Sequence, residues 1–260
     1  MLTCLRPLII GHRGYCAVAP ENTLPSFLLA LNAGADLVEL DYHETKDGVP
    51  LVIHDDTLDR TTDARKRWQR RRIRVARRTA AEIQTLDAGS WFDKKFAGAR
   101  TPLLAEALDL ICWCRGLTVI EHKSGDVETL AGLLRERNVV DKVVVISFDW
   151  KFLSELHQRE PDLLLGALGR PERLTSGRRP ARLVARLDAR WLEELVKTKA
   201  RLAVWNWQVS RPAVRLAHEL GLQVWVYTVN DARRATRLAD IGVDGIITNR
   251  PPLIRQALRK

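Results

Sequence analysis

Short apolar runs alternate along the chain with stretches in which apolar residues recur at helical spacing. Several runs are almost entirely apolar, which is typical of parallel strands that are covered on both faces. We predict strands at Leu8–Ile10, Asp36–Asp41, Thr118–Glu121, Val143–Ser147, Leu163–Ala167, Leu202–Trp205, Gln223–Val229 and Gly245–Thr248. We predict helices at Thr23–Asn32, Leu103–Cys112, Val127–Arg137, Trp150–Arg159, Ala189–Lys199, Arg211–Leu220 and Ala232–Ile241. This alternation predicts an α/β fold, a TIM-type (β/α)8 barrel.

An open, doubly wound sheet is the structural alternative. That fold needs a Gly-rich phosphate loop after its first strand, and Gly11-His12-Arg13-Gly14 lacks the required glycine spacing. No shift in composition marks a second domain, so we expect residues 1–260 to form a single barrel domain.

One further strand-like run, Val49–His54, follows the second strand too closely for a parallel crossover, so we expect it to return antiparallel. Asp47-Gly48 is a strong signal for a two-residue hairpin loop. That loop would place Asp41 opposite His54, with Cβ atoms roughly 5 Å apart. We therefore predict a small β-hairpin insertion after the second strand, at the C-terminal rim where barrel active sites are built.

Composition narrows the class of protein. The chain has 260 residues, 46% of them hydrophobic, and no apolar run is long enough to span a membrane. Met1–Arg6 lacks the features of a secretory signal, so we expect a cytoplasmic protein. In that compartment we expect reduced thiols at the four cysteines, which are Cys4, Cys16, Cys112 and Cys114.

The positive charge is concentrated in one segment. The net charge is +10, and Arg65–Arg78, the basic segment, carries nine Lys or Arg and no acid, so the remainder of the chain is near +1. No motif indicates nucleic-acid binding. The segment is either a solvated loop or a peripheral contact with an anionic membrane, for which Trp68 and Ile73 would suit an interface.

Charged and imidazole side chains follow four of the predicted strand ends. Alternation along a strand places Glu39 and Asp41 on one face, and Glu121 and Lys123 likewise. The predicted mouth of the barrel therefore holds His12, Arg13, Glu39, Asp41, His54, Glu121 and Lys123.

These residue types suit phosphodiester cleavage. Three clustered acids repel one another unless a hard cation such as Mg²⁺ or Ca²⁺ binds between them. Two histidines can exchange protons near neutral pH, and Arg13 and Lys123 can hold an anion, although ion pairs with the acids are the alternative.

The chain resembles the glycerophosphodiester phosphodiesterase family over nearly its whole length. The matching motifs read GHRG at 11–14, PENT at 20–23, ELD at 39–41, TKDG at 45–48 and VIHDDTLDRTT at 52–62, with LDAGSWFDKKFAG at 86–98, EHK at 121–123, SFD at 147–149, VYTVND at 226–231 and GVDGIITNRP at 242–251. The resemblance implies a barrel, a divalent cation, and release of sn-glycerol 3-phosphate and an alcohol from a glycerophosphodiester.

The resemblance also implies roles for individual residues. His12 and His54 match the family's acid/base pair, and Arg13 and Lys123 match its phosphate contacts. The implied metal ligands are Glu39, Asp41 and Glu121. The family's favoured mechanism has the glycerol 2-hydroxyl attack phosphorus and form a cyclic phosphate that water then opens.

Several positions depart from the family pattern, at 101–104, 203–207, 227 and 249. Tyr227, which we expect to bind substrate, stands where the family usually has Trp in the glycerol pocket, and Asn249 stands where it often has Asp. Asp55 is a candidate support for His54. We interpret the other histidines as structural; they are His43, His122, His157 and His218.

Three functions are compatible with these residues. The first is hydrolysis of small glycerophosphodiesters, and the second is a lysophospholipase D-type activity at the same site. The third, of a different class, is a catalytically silent phosphodiester- or lipid-binding protein.

Overall fold

Eight parallel strands close into a barrel, as the sequence predicts, in a computed structural model that describes residues 6–181 and 184–259. The first barrel strand pairs with both the second and the last, which closes the sheet. Residues 1–5, including Cys4 and most of the N-terminal stretch discussed above, lie outside the described residues. The barrel strands are β1 (Leu8–Gly11), β2 (Leu37–Glu44), β4 (Leu117–His122), β5 (Val143–Ser147), β6 (Leu164–Leu168), β7 (Leu202–Asn206), β8 (Gln223–Tyr227) and β9 (Gly245–Thr248).

The helices follow the predicted bounds to within a few residues. Proline occupies the first turn of α1, α8 and α10, where its missing N–H costs nothing, and the side chain of Asp149 accepts hydrogen bonds from the first-turn amides of α6. The helices are α1 (Leu24–Asn32), α2 (Ala64–Trp68), α3 (Ala80–Ile83), α4 (Leu104–Trp113), α5 (Val127–Glu136), α6 (Trp150–Arg159), α7 (Ala189–Val196), α8 (Arg211–Glu219), α9 (Ala232–Asp240) and α10 (Pro251–Ala257). Helices α2, α3 and α10 were not predicted.

Three apolar cores hold these elements. One lies between the strands and the surrounding helices and buries Trp150, Trp191 and Trp205. A second fills the barrel interior and includes Trp225. A third, the small core, lies under the insertion that follows β2; its members are Leu51, Ile53, Leu58, Ala64, Ile73, Val75, Ile83 and Leu86.

The predicted hairpin is present, but its predicted register is wrong by one residue. Strand β3 (Pro50–Val52) pairs antiparallel with β2, with His43 opposite Leu51. The loop has three residues, because Thr45 N bonds to Val49 O at 3.0 Å and the Thr45 hydroxyl donates to Asp47 at 2.6 Å. Gly48 takes the left-handed conformation that such a loop needs. Asp41 therefore does not pair with His54, which lies beyond the end of β3.

The basic segment packs on the small core through Ile73, one of the two apolar side chains expected to suit an interface. Ile73 is 6% exposed, and Trp68 is half-buried beneath Arg78, whose guanidinium carbon lies 4.4 Å from the ring centroid. Arg78 O accepts a hydrogen bond from Lys46 N at the hairpin loop, on the C-terminal side of the barrel. The arginines themselves are mostly exposed, so the surface presented by this segment is charged rather than apolar.

Among the described residues, no helix is long and apolar enough to cross a lipid bilayer. The thiols of Cys16, Cys112 and Cys114 are free, as predicted.

Candidate active site

The turn after β1 places His12 and Arg13 at the mouth of the barrel. Arg13 and Gly14 both take positive φ angles, 51° and 83°. A Cβ at Gly14 would lie 2.4 Å from the Ser26 hydroxyl oxygen, so only glycine fits this position. The turn aims the Arg13 backbone N–H at Glu39, to which it donates a hydrogen bond of 2.8 Å.

Three carboxylates meet on the barrel axis side of β2 and β4, as strand alternation predicts. Asp41 pairs with Glu121 in the register of these strands, and Glu39 lies two residues earlier on the same face. One oxygen from each of Glu39, Asp41 and Glu121 lies within 4.8 Å of the others, and all three residues are buried. Asp41 Oδ1 accepts no hydrogen bond from the described residues, although Lys123 Nζ lies 3.2 Å from it. Three buried carboxylates that supply only oxygen donors fit a hard divalent cation.

Burial and the neighbouring charges give these three acids different pKa values. Burial raises the pKa of Glu39 well above its usual value, and the neighbouring Asp41 and Glu121 raise it further. Burial, together with Asp41, raises the pKa of Glu121 to about 7. Burial would also raise the pKa of Asp41, but Lys123 and Arg13 outweigh it and hold that pKa well below the usual range. Without a cation the cluster therefore retains protons at neutral pH.

The two cations of the mouth form ion pairs with these acids in the structure. Arg13 Nε lies 3.2 Å from Asp41 Oδ2, and Arg13 Nη1 lies 2.7 Å from Glu21 Oε1. Lys123 Nζ contacts Glu121 and lies 3.2 Å from Asp41 Oδ1. Burial would lower the pKa of both cations, but the acids, Asp41 first, raise it. The ion-pair alternative of the sequence analysis is thus the arrangement seen.

His12 is held by a neutral partner. Its Nδ1 lies 2.7 Å from Asn249 Oδ1, and the backbone N–H of Asn249 donates to Asn230 at 2.8 Å. Burial, and then the nearby charge of Arg13, lower the pKa of His12 to about 4. The ring is therefore neutral at physiological pH, with its proton on Nδ1 and a lone pair on Nε2.

His54 is held by a charged partner. Its Nδ1 lies 2.8 Å from Asp55 Oδ1, as the candidate support predicted from sequence requires. Arg60 bonds Asp55 at 2.7 and 2.9 Å and reaches Glu21 at 2.8 Å through both terminal nitrogens. Hydrogen bonding from Arg60, opposed by burial, holds the pKa of Asp55 well below its usual value. His43 Nε2 lies 3.1 Å from the His54 carbonyl oxygen and so fixes the backbone as well.

Tyr227 ends β8 on the opposite side of the mouth. Its hydroxyl donates to the Gly169 carbonyl at 2.5 Å, and its ring meets Phe148 edge to face, 6.2 Å between centroids. Burial and the charge of Glu121 both raise the pKa of Tyr227, so the hydroxyl remains a hydrogen-bond donor.

Sequence reasoning missed several supporting residues. Asn22 donates to Asp41 Oδ2 at 2.9 Å and accepts from Asp41 N at 3.2 Å, while Glu21 and Arg60 link the two histidine loops. The signal was present, because Glu21 and Asn22 belong to PENT and Arg60 to the motif that contains His54. His122 stacks on Phe152 with ring centroids 3.5 Å apart, outside the barrel, in agreement with its predicted structural role.

The profile of the glycerophosphoryl diester phosphodiesterase family matches residues 12–253. The chain belongs to this family. It is 33% identical, over 98% of its length and 99% of the relative, to a glycerophosphodiester phosphodiesterase of Caldanaerobacter subterraneus subsp. tengcongensis. A second enzyme of that name, from Bacillus subtilis, is also 33% identical, over 96% of the chain and 86% of the relative.

Solved structures agree with this family assignment. The putative glycerophosphoryl diester phosphodiesterase of Silicibacter pomeroyi superposes with a TM-score of 0.83 at 31% identity, covering 98% of this chain and 94% of the other. An Oleispira antarctica phosphodiesterase, in complex with the product sn-glycerol-3-phosphate, superposes with a TM-score of 0.84 at 26% identity, covering 97% and 96%. The chain is thus an enzyme, a glycerophosphodiester phosphodiesterase, rather than a silent binding protein.

Proposed function

We propose that this phosphodiesterase releases sn-glycerol 3-phosphate and an alcohol, with His12 and His54 as its proton carriers and a divalent cation held by Glu39, Asp41 and Glu121. The observation that carries the proposal is the buried group of three carboxylate oxygens within 4.8 Å of one another at the mouth. The Oleispira antarctica neighbour, which binds that product in the same fold, supports it.

The cation, Mg²⁺ or Ca²⁺, would neutralise the three acids and draw electron density from the phosphate oxygens. Arg13 and Lys123 face these acids in the structure. Once the acids have a cation, both side chains are available for the phosphate oxygens, which a guanidinium can bind in a bidentate manner. This accounts for their placement beside carboxylates in an enzyme that binds an anion.

The surroundings of the histidines assign their roles in our proposal. His12 is neutral and presents a lone pair at Nε2, so it takes the proton of the glycerol 2-hydroxyl as that oxygen attacks phosphorus. His54 is the acid, because the ionised Asp55 stabilises an imidazolium, and it protonates the departing alkoxide. Water then opens the cyclic phosphate with the two roles reversed.

The test is release of glycerol 3-phosphate from glycerophosphocholine by purified protein, with EDTA and then with Mg²⁺ or Ca²⁺ restored. We expect release to stop with EDTA, to return with a cation, and to fall about a thousandfold in Asp41→Ala. The control is His218→Ala, whose histidine pairs with Asp244 at 2.9 Å on an exposed helix end. Unchanged release in EDTA would contradict the cation site.

A second candidate substrate, a lysophospholipid, is favoured by the basic segment. Its exposed cations lie on the C-terminal side of the barrel, where the mouth opens. With Ile73 buried, contact with a membrane would be electrostatic and therefore sensitive to salt.

Vesicle sedimentation tests this membrane contact. We expect the enzyme to sediment with anionic vesicles at low salt, and Arg70→Gln/Arg71→Gln/Arg72→Gln to reduce binding by roughly tenfold or more, at about 1 kcal/mol per cation. Turnover of glycerophosphocholine should be unchanged in the same variant. An enzyme that does not sediment even at low salt has no such membrane contact.

A further inference from the structure

A cavity of about 650 Å³ lies beside the mouth and is lined in part by Phe148, the aromatic partner of Tyr227. Its walls come from the loops that follow β5 and β6 and include Phe148, Glu172 and three arginines, which are Arg170, Arg173 and Arg179. Both loops leave the C-terminal ends of their strands, as do the loops that carry the catalytic candidates. The cavity is therefore on the substrate side of the barrel.

Hydrogen bonds give the cavity a fixed shape. Glu172 N donates to Phe148 O at 2.9 Å, and Trp150 N donates to Arg173 O at 2.9 Å, which ties the two loops together. Pro171 and Pro180 stiffen the second loop. A Cβ at Gly169 would lie 1.7 Å from the Trp205 ring, so this glycine keeps the loop close to the neighbouring strand. These contacts fix the backbone of the cavity walls, whereas the arginine side chains are exposed.

The aromatic pair connects this cavity with the acids. Phe148 lines the cavity, and its ring meets the Tyr227 ring edge to face, 6.2 Å between centroids. Tyr227 ends β8 at the same rim of the barrel where Glu121 lies at the end of β4. A substrate whose phosphodiester lies at the acids can therefore extend past these two rings into the cavity.

The charge of the lining residues indicates which kind of chemical group the cavity would bind. The lining residues include three cations, Arg170, Arg173 and Arg179, and one acid, Glu172, while a further acid, Asp149, lies 3.7 Å from Arg173. The balance remains positive. Guanidinium groups bind phosphate and carboxylate in a bidentate manner and repel an ammonium group.

We infer that this cavity is a subsite for a second anionic group of the substrate, a phosphate or carboxylate, one short linker away from the bond that is cleaved. The inference rests on the proposed function and narrows its substrate class. It predicts a higher kcat/KM for glycerophosphodiesters that carry an additional anionic group than for those whose alcohol is cationic, such as glycerophosphocholine.

Two substrates that differ by one glycerophosphoryl group, and so by one phosphate charge, test the subsite. We would compare kcat/KM for 1,3-bis(glycerophospho)glycerol and for glycerophosphoglycerol at about 0.15 M salt, where long-range charge effects are screened. After correction for the two cleavable ends of the first compound, we expect it to be preferred roughly fivefold. Arg170→Gln/Arg179→Gln should abolish the preference and leave glycerophosphoglycerol turnover unchanged.

The matched control is Arg70→Gln/Arg71→Gln, which removes the same charge from the basic segment and should retain the preference. A wild-type ratio near one, or an equal loss in the control, would overturn the subsite while leaving the proposed function intact. If neither compound is hydrolysed, the proposed function fails instead. Equilibrium binding of both compounds then decides on the subsite, and equal affinities would reject it.

Discussion

The two histidines at the mouth each follow a strand, but their rings have different hydrogen-bond partners. His12 bonds the neutral amide of Asn249, and its pKa is lowered to about 4, chiefly by burial. His54 is about one-third exposed and bonds Asp55, which Arg60 keeps ionised. A neutral partner favours a ring that accepts a proton, whereas an anionic partner favours a ring that carries one. In the proposed mechanism, the hydrogen-bond partners of the two rings therefore decide which histidine is the base and which is the acid.

Removal of either ring has the largest expected effect. We expect His12→Ala and His54→Ala each to lower kcat by about a thousandfold or more, since general acid–base catalysis contributes at this level. The measurement is glycerol 3-phosphate release at saturating cation. If one variant kept near-normal kcat, its histidine would not carry a proton in the slow step, and the comparison would collapse to a single catalytic ring.

Loss of the charge beside His54 comes next. Asp55→Asn keeps a hydrogen-bond acceptor but removes the anion that stabilises an imidazolium, so we expect kcat to fall about tenfold to a hundredfold with little change in KM. A substrate with a better leaving group, such as a nitrophenyl ester, should recover much of the loss, because it needs less protonation.

Arg60→Lys is the matched control for Asp55→Asn. It retains a cation beside Asp55 and Glu21 while losing the bidentate geometry, and we expect a smaller decrease in kcat. A decrease as large as that of Asp55→Asn, without recovery by the better leaving group, would assign these residues a purely structural role.

The smallest expected effect is a shift in pH dependence. Asn249→Asp places a carboxylate against His12 Nδ1, and an adjacent anion raises the pKa of a histidine. His12 would then be protonated at a higher pH than in the wild type. Activity should therefore be lost at a higher pH when the pH is lowered. We expect the acidic limb of the kcat/KM profile to move up by about one unit. An unmoved limb would mean that another group controls it.

The fold and the acid cluster could be predicted from the sequence because both depend on local patterns. Alternation along a strand is enough to place Glu39 beside Asp41, and apolar runs mark the strands. The hairpin register could not be predicted in this way. It depends on the Thr45 hydroxyl bonding Asp47, a side-chain choice that converts an expected two-residue loop into three.

Contacts between segments that are distant along the chain could not be predicted from the sequence either. His12 and Asn249 are 237 positions apart, and Arg60 and Glu21 are 39 positions apart. Neither pair follows from spacing, because each depends on how the closed barrel brings different strand ends together. The arginines of the cavity belong to the same class, since their loops become neighbours only in the folded chain.

The hairpin has a consequence for thermal inactivation. His54 follows a strand of three residues, and the segment around it packs on eight side chains of the small core rather than inside the barrel. Regions with few buried contacts open at lower free energy than the global fold. Gentle heating can therefore separate His54 from His12 while the barrel strands keep their far-ultraviolet signal. The enzyme would lose turnover reversibly, below its melting temperature, and recover it on cooling.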